Sequence, residues 1–361
     1  MSKSASVEPP RLTIYDVARQ AGVSSSTVSR VLAGRGAVSA TTREAVLKVA
    51  QQLGYRPNAV ARSLATQVSD TVAVLLPDIS NPFFPSLVRA LQVEAQRYGY
   101  MLLLGDTAGD AGTERRYLDG LLSKQVRHVF VVGLGLPRAE VEQYARAGLV
   151  FIALDRALPG GNGYLVQSDN RAGARLATRH LIELGHRRIA HLAGPADVAV
   201  SRERRRGYLD AIREAGLAED EQLVVESPFS EVGGANAYRR LTERRVDYTA
   251  IFAANDLIAI GALFEAHQRG RNAPDNFSLV GFDDVSLTRY TSPQLTTVRQ
   301  DVVAMAHAGL QFIDPERAPS RRRTLTLPVS LKVRQSTARP TGRSAGGRPQ
   351  QGGAVHGTDD H

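Results

Sequence analysis

Apolar residues recur near the start of the chain with the period of an amphipathic helix. The first such run follows the spacing i, i+3, i+4 and i+7, and its members are Ile14, Val17, Ala18 and Ala21. Thr13 precedes the run and stands three residues before Asp16, as in a capping box with Asp in place of the usual Glu. Gly22 ends the helix, because glycine adopts the backbone angles of a tight turn.

Two further helices are predicted after this turn. Ser24 is a suitable N-cap for a second helix, whose inward-facing residues are Val28, Val31 and Leu32. A third helix follows a cap at Ser39 or Thr41 and continues to Leu53, where Gly54 stops it. Short helices joined by a glycine-containing turn are typical of a helix-turn-helix. We therefore predict a small all-α domain.

From Thr71 onward, short apolar runs alternate with amphipathic segments. The runs predict buried strands, which are Val72–Leu76, Met101–Leu104, Val129–Val132, Val150–Leu154, Ile189–Leu192, Ala250–Ala253 and Leu279–Gly281. Helices such as Ser86–Tyr98 and Asn170–Leu184 lie between them, and a last strand is predicted over Thr324–Val333. This alternation implies parallel sheets with helices on both faces.

Polar side chains stand where several predicted strands end. Pro77–Phe84 follows the first strand, while Asp155, Asn255 and Asp283 follow later ones. In open α/β sheets, ligands bind outside the carboxyl ends of the strands. Carboxylates and amides bind sugar hydroxyls, and an aromatic face packs against a sugar ring. For any single Asp, the alternative is a structural role as the N-cap of the next helix.

The net charge of +9 is concentrated at the N-terminus. Residues 1–66 hold nine Lys or Arg against three Asp or Glu, whereas residues 67–336 carry a net charge of only +2. A basic head on a nearly neutral body suggests a module that binds a polyanion, joined to a second domain. The alternative is a solvated basic terminus.

The composition excludes several classes of protein. With 361 residues, of which 43% are apolar and 22% charged, the chain can form two or three globular domains. No apolar run reaches the roughly 20 residues of a membrane span. No long apolar core follows Lys3, so we expect a cytoplasmic protein without a signal peptide. The chain has no cysteine, and therefore no disulfide or thiolate metal site.

Motifs for catalysis or cofactor binding are weak. Gly133–Arg138 contains part of a dinucleotide-binding fingerprint but lacks its third glycine. His186 and His191 have a poor spacing for metal ligands, and Arg321–Arg323 is expected to be a solvated loop. The chain has no Walker loop, nucleophile elbow or His-Glu-x-x-His helix. We predict no catalytic residue, no metal and no cofactor.

The outward face of the second helix suits duplex DNA. It presents short hydroxyls and one guanidinium group, from Ser25, Ser26, Ser29 and Arg30. An arginine there can make a bidentate contact with guanine in the major groove, and hydroxyls can hold phosphates. The alternative is a helical bundle that binds another protein. Residues 59–65 favour helix but are too few for a stable one, which makes them a candidate for folding on binding.

One stretch of the head resembles a known family. Its matching segments are Thr13–Leu32, Val38-Ser39, Thr42-Arg43, Leu53–Asn58 and Ala61–Leu64. These segments are similar to the LacI/GalR family of bacterial transcription repressors. In that family the second helix enters the major groove, and a hinge helix orders in the minor groove as a dimer.

The resemblance also implies roles for individual residues. It makes Ser25, Ser26 and Arg30 base readers and Leu64 a wedge between base steps, while Tyr55 and Asn58 hold the DNA backbone. The full set of predicted DNA-binding residues is Thr13, Ser24, Ser25, Ser26, Thr27, Ser29, Arg30, Tyr55, Asn58 and Leu64. In the body, the resemblance assigns effector binding to Phe84, Asp155, Arg204, Asn255, Asp283 and Gln300.

The predicted architecture joins a helix-turn-helix domain to a two-lobed α/β effector region of doubly wound parallel sheets, similar to periplasmic sugar-binding proteins. The predicted ranges are 11–56 for the DNA-binding domain, 57–69 for the hinge and linker, 70–336 for the effector region and 337–361 for a disordered tail. Lobe one is placed near 70–169 and 300–325, and lobe two near 170–299 and 326–336. The tail lacks leucine heptads, so no tetramerising coiled coil is expected.

We therefore predict a homodimeric repressor, not an enzyme, whose affinity for double-stranded operator DNA is changed by a small-molecule effector, a sugar or sugar derivative. Effector binding would shift the lobes and destabilise the short hinge helices. The alternatives are a sugar-binding protein of the transport type, or an α/β enzyme with a DNA-binding head that uses Asp78, Asp155 and Asp283. No membrane partner is expected.

Overall fold

A computed structural model describes residues 12–32, 38–55, 69–161, 163–313 and 324–341. The described chain forms two compact units, divided between Ser69 and Asp70. None of the described helices is long and apolar enough to cross a membrane. Each unit has a hydrophobic core of its own, and the two are described separately below.

The first unit contains the predicted helix-turn-helix. Its helices are α1 (Ile14–Ala21), α2 (Ser25–Leu32) and α3 (Ala40–Leu53). The carboxylate of Asp16 accepts hydrogen bonds from the backbone N–H and the hydroxyl of Thr13, 3.0 and 2.7 Å away. Ser24 and Ser39 cap α2 and α3 as predicted. The core of this unit consists of Val17, Ala18, Val28, Val31, Val46 and Ala50.

Lobe one of the second unit contains a parallel sheet of six strands. In chain order these are β1 (Thr71–Leu76), β2 (Met101–Asp106), β3 (His128–Val131), β4 (Val150–Leu154), β5 (Tyr164–Ser168) and β11 (Thr324–Leu327). The order across the sheet is β11-β5-β4-β3-β1-β2, with Val74 of β1 opposite Phe130 of β3. The accompanying helices are α4 (Phe83–Arg97), α5 (Ala111–Ser123), α6 (Arg138–Arg146) and α11 (Val302–Gln311).

Lobe two repeats this architecture. Its strands are β6 (Ile189–Ala193), β7 (Val224–Glu226), β8 (Ala250–Ala253), β9 (Ser278–Asp283), β10 (Thr296–Arg299) and β12 (Ser330–Lys332). They lie in the order β12-β10-β9-β8-β6-β7, and only β12 is antiparallel to its neighbour. The helices of this lobe are α7 (Asn170–Glu183), α8 (Ala199–Glu214), α9 (Glu231–Glu243) and α10 (Asp256–Gln268).

The chain passes between the lobes three times within the described residues: after β5, after β10 and after β11. The prediction of one last strand over Thr324–Val333 is wrong. Pro328 interrupts it, because proline has no N–H to donate to a sheet. The two halves pair in different lobes, with Thr324 opposite Leu165 and Arg299 opposite Ser330.

Residues 337–341 of the predicted disordered tail 337–361 are also ordered, contrary to the prediction, whereas residues 342–361 lie outside the described residues. The N–H of Ala338 donates to the Ser278 hydroxyl at 2.9 Å, and the Thr337 hydroxyl lies 3.0 Å from Nε2 of His180. These partners belong to lobe two, so the ordered part of lobe two continues at least to Thr341. Within residues 337–341, Thr337 and Ala338 thus supply hydrogen bonds to lobe two.

Candidate functional site

The first unit presents part of the predicted DNA-binding surface to solvent. Val28 and Val31 are buried, and Ser26, Ser29 and Arg30 are exposed on the other side of α2. The hydroxyl of Ser24 lies 2.8 Å from that of Ser26 and 2.9 Å from that of Thr27. Nε of Arg30 donates to the carbonyl oxygen of Ser26 at 3.4 Å, which leaves its two terminal nitrogens free within the described chain.

The remaining predicted DNA contacts lie at the edges of this unit. Thr13 is exposed beside Asp16, and Ser25 is half-buried at the start of α2. Tyr55 is half-buried and packs against the helical core. Asn58 and Leu64, together with most of the predicted hinge 57–69, lie outside the described residues. Tyr15, which the sequence analysis did not select, is 69% exposed on α1 beside the predicted contact Thr13.

Side chains from both lobes of the second unit line one cavity, which we call the cleft cavity. The space between them, including the part that is open to solvent, is about 270 Å³. The structure brings together all six residues assigned to effector binding, namely Phe84, Asp155, Arg204, Asn255, Asp283 and Gln300. Five further residues line this cavity: Asn81 and Phe83 lie in the predicted segment Pro77–Phe84, and Arg156, Val200 and Phe229 were not among the residues assigned to effector binding.

Four of the six predicted residues stand just beyond, or at, the carboxyl end of a strand. Asp155 follows β4, Asn255 follows β8, Asp283 ends β9 and Gln300 follows β10. Parallel strands place their carboxyl ends at one edge of a sheet, so each lobe contributes polar groups to the same cleft. Asn255 also caps α10, since its Oδ1 accepts from the N–H of Ile258 at 2.9 Å.

Arg204 is fixed by contacts on all of its nitrogens. Nε donates to Oδ1 of Asn170 at 2.8 Å, and Nη1 donates to the carbonyl oxygen of Ala254 at 2.6 Å. Nη2 lies 3.4 Å from Oδ1 of Asp283, and the guanidinium group stacks 3.8 Å from the centre of the Phe282 ring. The charge of this buried arginine is therefore neutralised before any ligand binds.

Three buried polar atoms of cavity residues have no hydrogen-bond partner in the described chain: Oδ1 of Asp155, Nε of Arg156 and Oε1 of Gln300. Two of them are acceptors, and one is a donor. A buried polar atom without a partner costs about 1–3 kcal/mol. A ligand that carries hydroxyl groups satisfies both kinds of atom, because a hydroxyl donates and accepts.

The carboxyl groups near the cavity have unusual acidities. Burial raises the pKa of Asp283 to about 6, and the nearby guanidinium of Arg204 opposes this rise. Burial also raises the pKa of Asp256 well above its ordinary range, and the charge of Asp283 adds to this effect. Asp256 accepts from the N–H of Val285 at 2.9 Å and from the hydroxyl of Thr297 at 2.5 Å.

Other sequence candidates lie elsewhere. Asp78 is exposed and accepts hydrogen bonds from Ser80, so it does not join Asp155 and Asp283 in lining the cleft cavity. His186 hydrogen-bonds to Thr249, whereas His191 stacks on Tyr208 and Phe252. In the glycine-containing segment after β3, the N–H of Gly135 donates to the buried carboxylate of Glu114 at 3.0 Å. The N–H of Gly135 is therefore already bonded to a carboxylate of the same chain and is not available to a cofactor phosphate.

Comparison with known proteins gives the family of both parts of the chain. Residues 13–58 match the family described as bacterial regulatory proteins, lacI family, and residues 178–337 match a periplasmic binding protein-like domain. The transcriptional regulator GalS of Salmonella typhimurium is 41% identical over 83% of this chain and 88% of its own length. The ribose operon repressor of Halalkalibacterium halodurans is 39% identical over 90% of this chain and 97% of its own.

Solved structures agree over most of the chain. The Lac repressor dimer bound to operator and the anti-inducer ONPF matches 91% of this chain and 100% of its own, with 26% identity and a TM-score of 0.80. The complex of the regulator CelR with cellobiose matches 90% of this chain and 100% of its own, with 32% identity and a TM-score of 0.68. These matches confirm the predicted fold class.

Proposed function

The chain belongs to the LacI family of bacterial regulatory proteins, and we propose that it is a repressor whose affinity for operator DNA changes when a neutral sugar binds in the cleft cavity. The observation that carries this proposal is the convergence of six predicted side chains from both lobes on one cavity. We propose no catalytic residue, and we expect the protein to act in the cytoplasm, where the chromosome lies.

A neutral sugar is favoured over a sugar phosphate in the cleft cavity because the charges there cancel. Arg204 is paired with Asp283, and Nε of Arg156 lies 3.6 Å from Oδ2 of Asp155. The unpartnered acceptor of Asp155 can take a hydroxyl donor of the sugar, and neither arginine of the cavity is left without a carboxylate partner to hold a phosphate group. Aromatic rings suit the apolar face of a sugar, and the cavity offers Phe83, Phe84 and Phe229.

We propose that Arg30 and its neighbours on α2 read bases, and that residues 57–69 form the hinge. The contacts assigned to Asn58 and Leu64 stay predictions, because these residues lie outside the described ranges. Two symmetric half-sites require a dimer. Met101, on the edge strand β2, and Phe264, on α10, are 70% and 61% exposed, and we propose that both contact the second copy.

The DNA-binding part of the proposal is tested by selecting duplexes from a random pool with the full chain and sequencing them. The wild type should enrich a pseudo-palindromic site. Arg30→Ala should relax base preference at one position in each half-site, since one bidentate contact is worth about 1–3 kcal/mol. Lys48→Ala removes an exposed charge from α3 and should lower affinity without changing base preference. If the wild type enriches no site, the proposal is contradicted.

The effector part is tested by thermal unfolding of the full chain with neutral monosaccharides, including galactose and ribose. A sugar that binds only the folded protein raises the unfolding temperature, and the rise grows with the logarithm of the sugar concentration above its Kd. Asp155→Asn keeps the size of the side chain and removes one charge, so it should abolish most of the shift. If no neutral sugar raises the unfolding temperature of the wild type, this part of the proposal fails.

A further inference from the structure

A second cavity lies beside the cleft cavity, and we call it the interlobe groove. Its volume is about 220 Å³, somewhat below the roughly 300–1,000 Å³ of sites for drug-sized ligands, which suits a small compound. The first turns of α4 and α11 line it from lobe one, and the segment after β9 and the end of β10 line it from lobe two. Phe83, Asp283 and Gln300 form a wall that both cavities share.

The carboxylates of the groove are all engaged by other groups. Asp283 contacts Arg204 and accepts from Nε2 of Gln300 at 2.7 Å. Asp284 forms an ion pair with the guanidinium of Arg334. Asp301 caps α11, accepting from the N–H of Ala304 at 2.9 Å. Two of the three carboxylates are therefore paired with an arginine, and the third is stabilised only by the first turn of α11.

The two arginines of the groove are not engaged. Arg289 follows β9, Arg299 ends β10, and both are exposed without a hydrogen bond or ion pair to any described residue. The positive ends of the helix dipoles of α4 and α11 face the same groove, since Phe83 and Val302 are the first residues of those helices. Two unpaired cations thus face the groove, and Asp301 is its one carboxylate without a cation partner among the described residues.

A buried acceptor points to the rest of the ligand. Gln300 is only 3% exposed, its Nε2 is held by Asp283, and its Oε1 has no partner. An anion alone does not satisfy this oxygen, whereas a hydroxyl group does. The apolar side chains of Val285, Val302 and Val303 cover another part of the groove and suit a carbon skeleton.

We propose that the interlobe groove is a second ligand site, which binds a polyhydroxy compound carrying a phosphate or carboxylate group. Arg289 and Arg299 hold the anionic group, and a hydroxyl donates to Gln300. The groove differs from the cleft cavity in its chemistry, because the arginines of the cleft cavity are already paired with carboxylates. The inference concerns a separate ligand and does not require that a neutral sugar binds next to it.

The test is isothermal titration calorimetry of the full chain at low ionic strength with four probes: glucose 6-phosphate, gluconate, glucose and inorganic phosphate. We expect at least one of the two anionic sugar compounds to bind more tightly than glucose or phosphate. Comparison of glucose 6-phosphate with gluconate distinguishes a phosphate site from a carboxylate site. R289Q/R299Q should weaken binding of that compound about tenfold or more, since it removes two charge-assisted contacts.

The matched control is R187Q/R245Q, which removes the same charge from exposed arginines that precede β6 and β8, at the opposite ends of the strands. It should bind the anionic compound as the wild type does, and both double variants should unfold at the wild-type temperature. The inference is overturned if neither anionic compound binds, or if R289Q/R299Q binds it as tightly as the control. Loss of neutral-sugar binding alone would count against the proposed function and not against the groove.

Discussion

Two consecutive aspartates hold a strained turn at the carboxyl end of β9. Asp283 and Asp284 have φ angles of 115° and 56°, a region that costs residues other than glycine about 1–3 kcal/mol each. Hydrogen bonds and ion pairs from Gln300, Arg204 and Arg334 hold their side chains. The turn therefore persists because groups from distant parts of the chain determine it, and it aims Asp283 at the cleft.

The acidity of Asp283 predicts a pH-dependent stability. The pKa of Asp283 in the folded protein is about 6, above the ordinary value of Asp in an unfolded chain. Protonated Asp283 therefore adds to the stability of the folded state, and this contribution is lost as the pH rises through 6. Asp283→Asn does not titrate. The free energy of unfolding of the wild type should fall by up to about 3 kcal/mol relative to the variant between pH 4 and 7. Urea denaturation at several pH values measures this difference, and a constant difference contradicts the prediction.

The ion pair between Arg334 and Asp284 should be strongly coupled, because both side chains are largely buried. Arg334→Gln leaves a buried carboxylate without its cation and should cost about 3–5 kcal/mol of unfolding free energy. Adding Asp284→Asn should recover part of this loss. Arg175→Gln breaks an exposed pair with Glu214 and should cost at most about 1 kcal/mol. Strictly additive losses for Arg334 and Asp284 would refute the coupling.

At the scale of elements, helices α9 and α10 approach so closely that only glycine fits at two positions. A Cβ on Gly261 would collide with the carbonyl oxygen of Glu231, and one on Gly234 would collide with that of Ile258. Neither glycine has a positive φ, so the requirement is one of space. The N-terminal end of α10, which carries Asn255 as its cap, is thereby fixed against α9.

Gly261→Ala should therefore destabilise the protein by about 2–3 kcal/mol through overpacking. Gly120→Ala in α5 is the matched control, because a Cβ there meets no other atom within 4 Å. Alanine is the better helix former, so the control should gain about 0.5–1 kcal/mol. Denaturant unfolding of both variants measures the two changes, and equal effects would show that the close approach does not limit stability.

The strands that could be predicted are those whose burial follows from apolar runs, such as Ala250–Ala253. Strand β10 was missed because it reads as polar: Thr296 and Thr297 are fully buried, and partners from distant positions satisfy their hydrogen bonds. Strand β7 has only three residues. Because the hydrogen-bond partners of these threonines come from distant parts of the chain, the local sequence does not reveal that the strand is buried.

The part of the cleft cavity that could be predicted also follows from the strands that apolar runs indicate. Asn255 and Asp283 stand at the carboxyl ends of strands of one parallel sheet, so their meeting follows from its topology, whereas Asp155 belongs to the other sheet and meets them because the two lobes face each other across the cleft. Arg204 lies within a run of arginines on α8, and the resemblance to a family was needed to select it. Phe229 lies in the loop after β7, a strand that was not predicted, and no local signal marks it.

At the scale of the whole molecule, charge and chemistry are divided between the two units. The basic residues of the head belong to the first unit, whereas the unpartnered polar atoms that suit a sugar belong to the second unit. A repressor of this design requires that occupancy of one unit changes the affinity of the other. Such coupling is a free energy, and thermodynamics makes it reciprocal.

The last prediction is therefore that two factors are equal, the change of operator affinity caused by the sugar and the change of sugar affinity caused by the operator. If a saturating neutral sugar lowers operator affinity by a given factor, typically about 5–150-fold, saturating operator must lower sugar affinity by the same factor. Fluorescence anisotropy of a labelled operator gives the first factor, and calorimetry with and without operator gives the second. Asp155→Asn should lose the response of operator to sugar while retaining full operator affinity, because it changes only the cleft cavity. If saturating sugar leaves the operator affinity of the wild type unchanged, and saturating operator leaves its sugar affinity unchanged, both factors equal one, the sugar and the DNA are independent ligands, and the coupling proposed for this chain is absent.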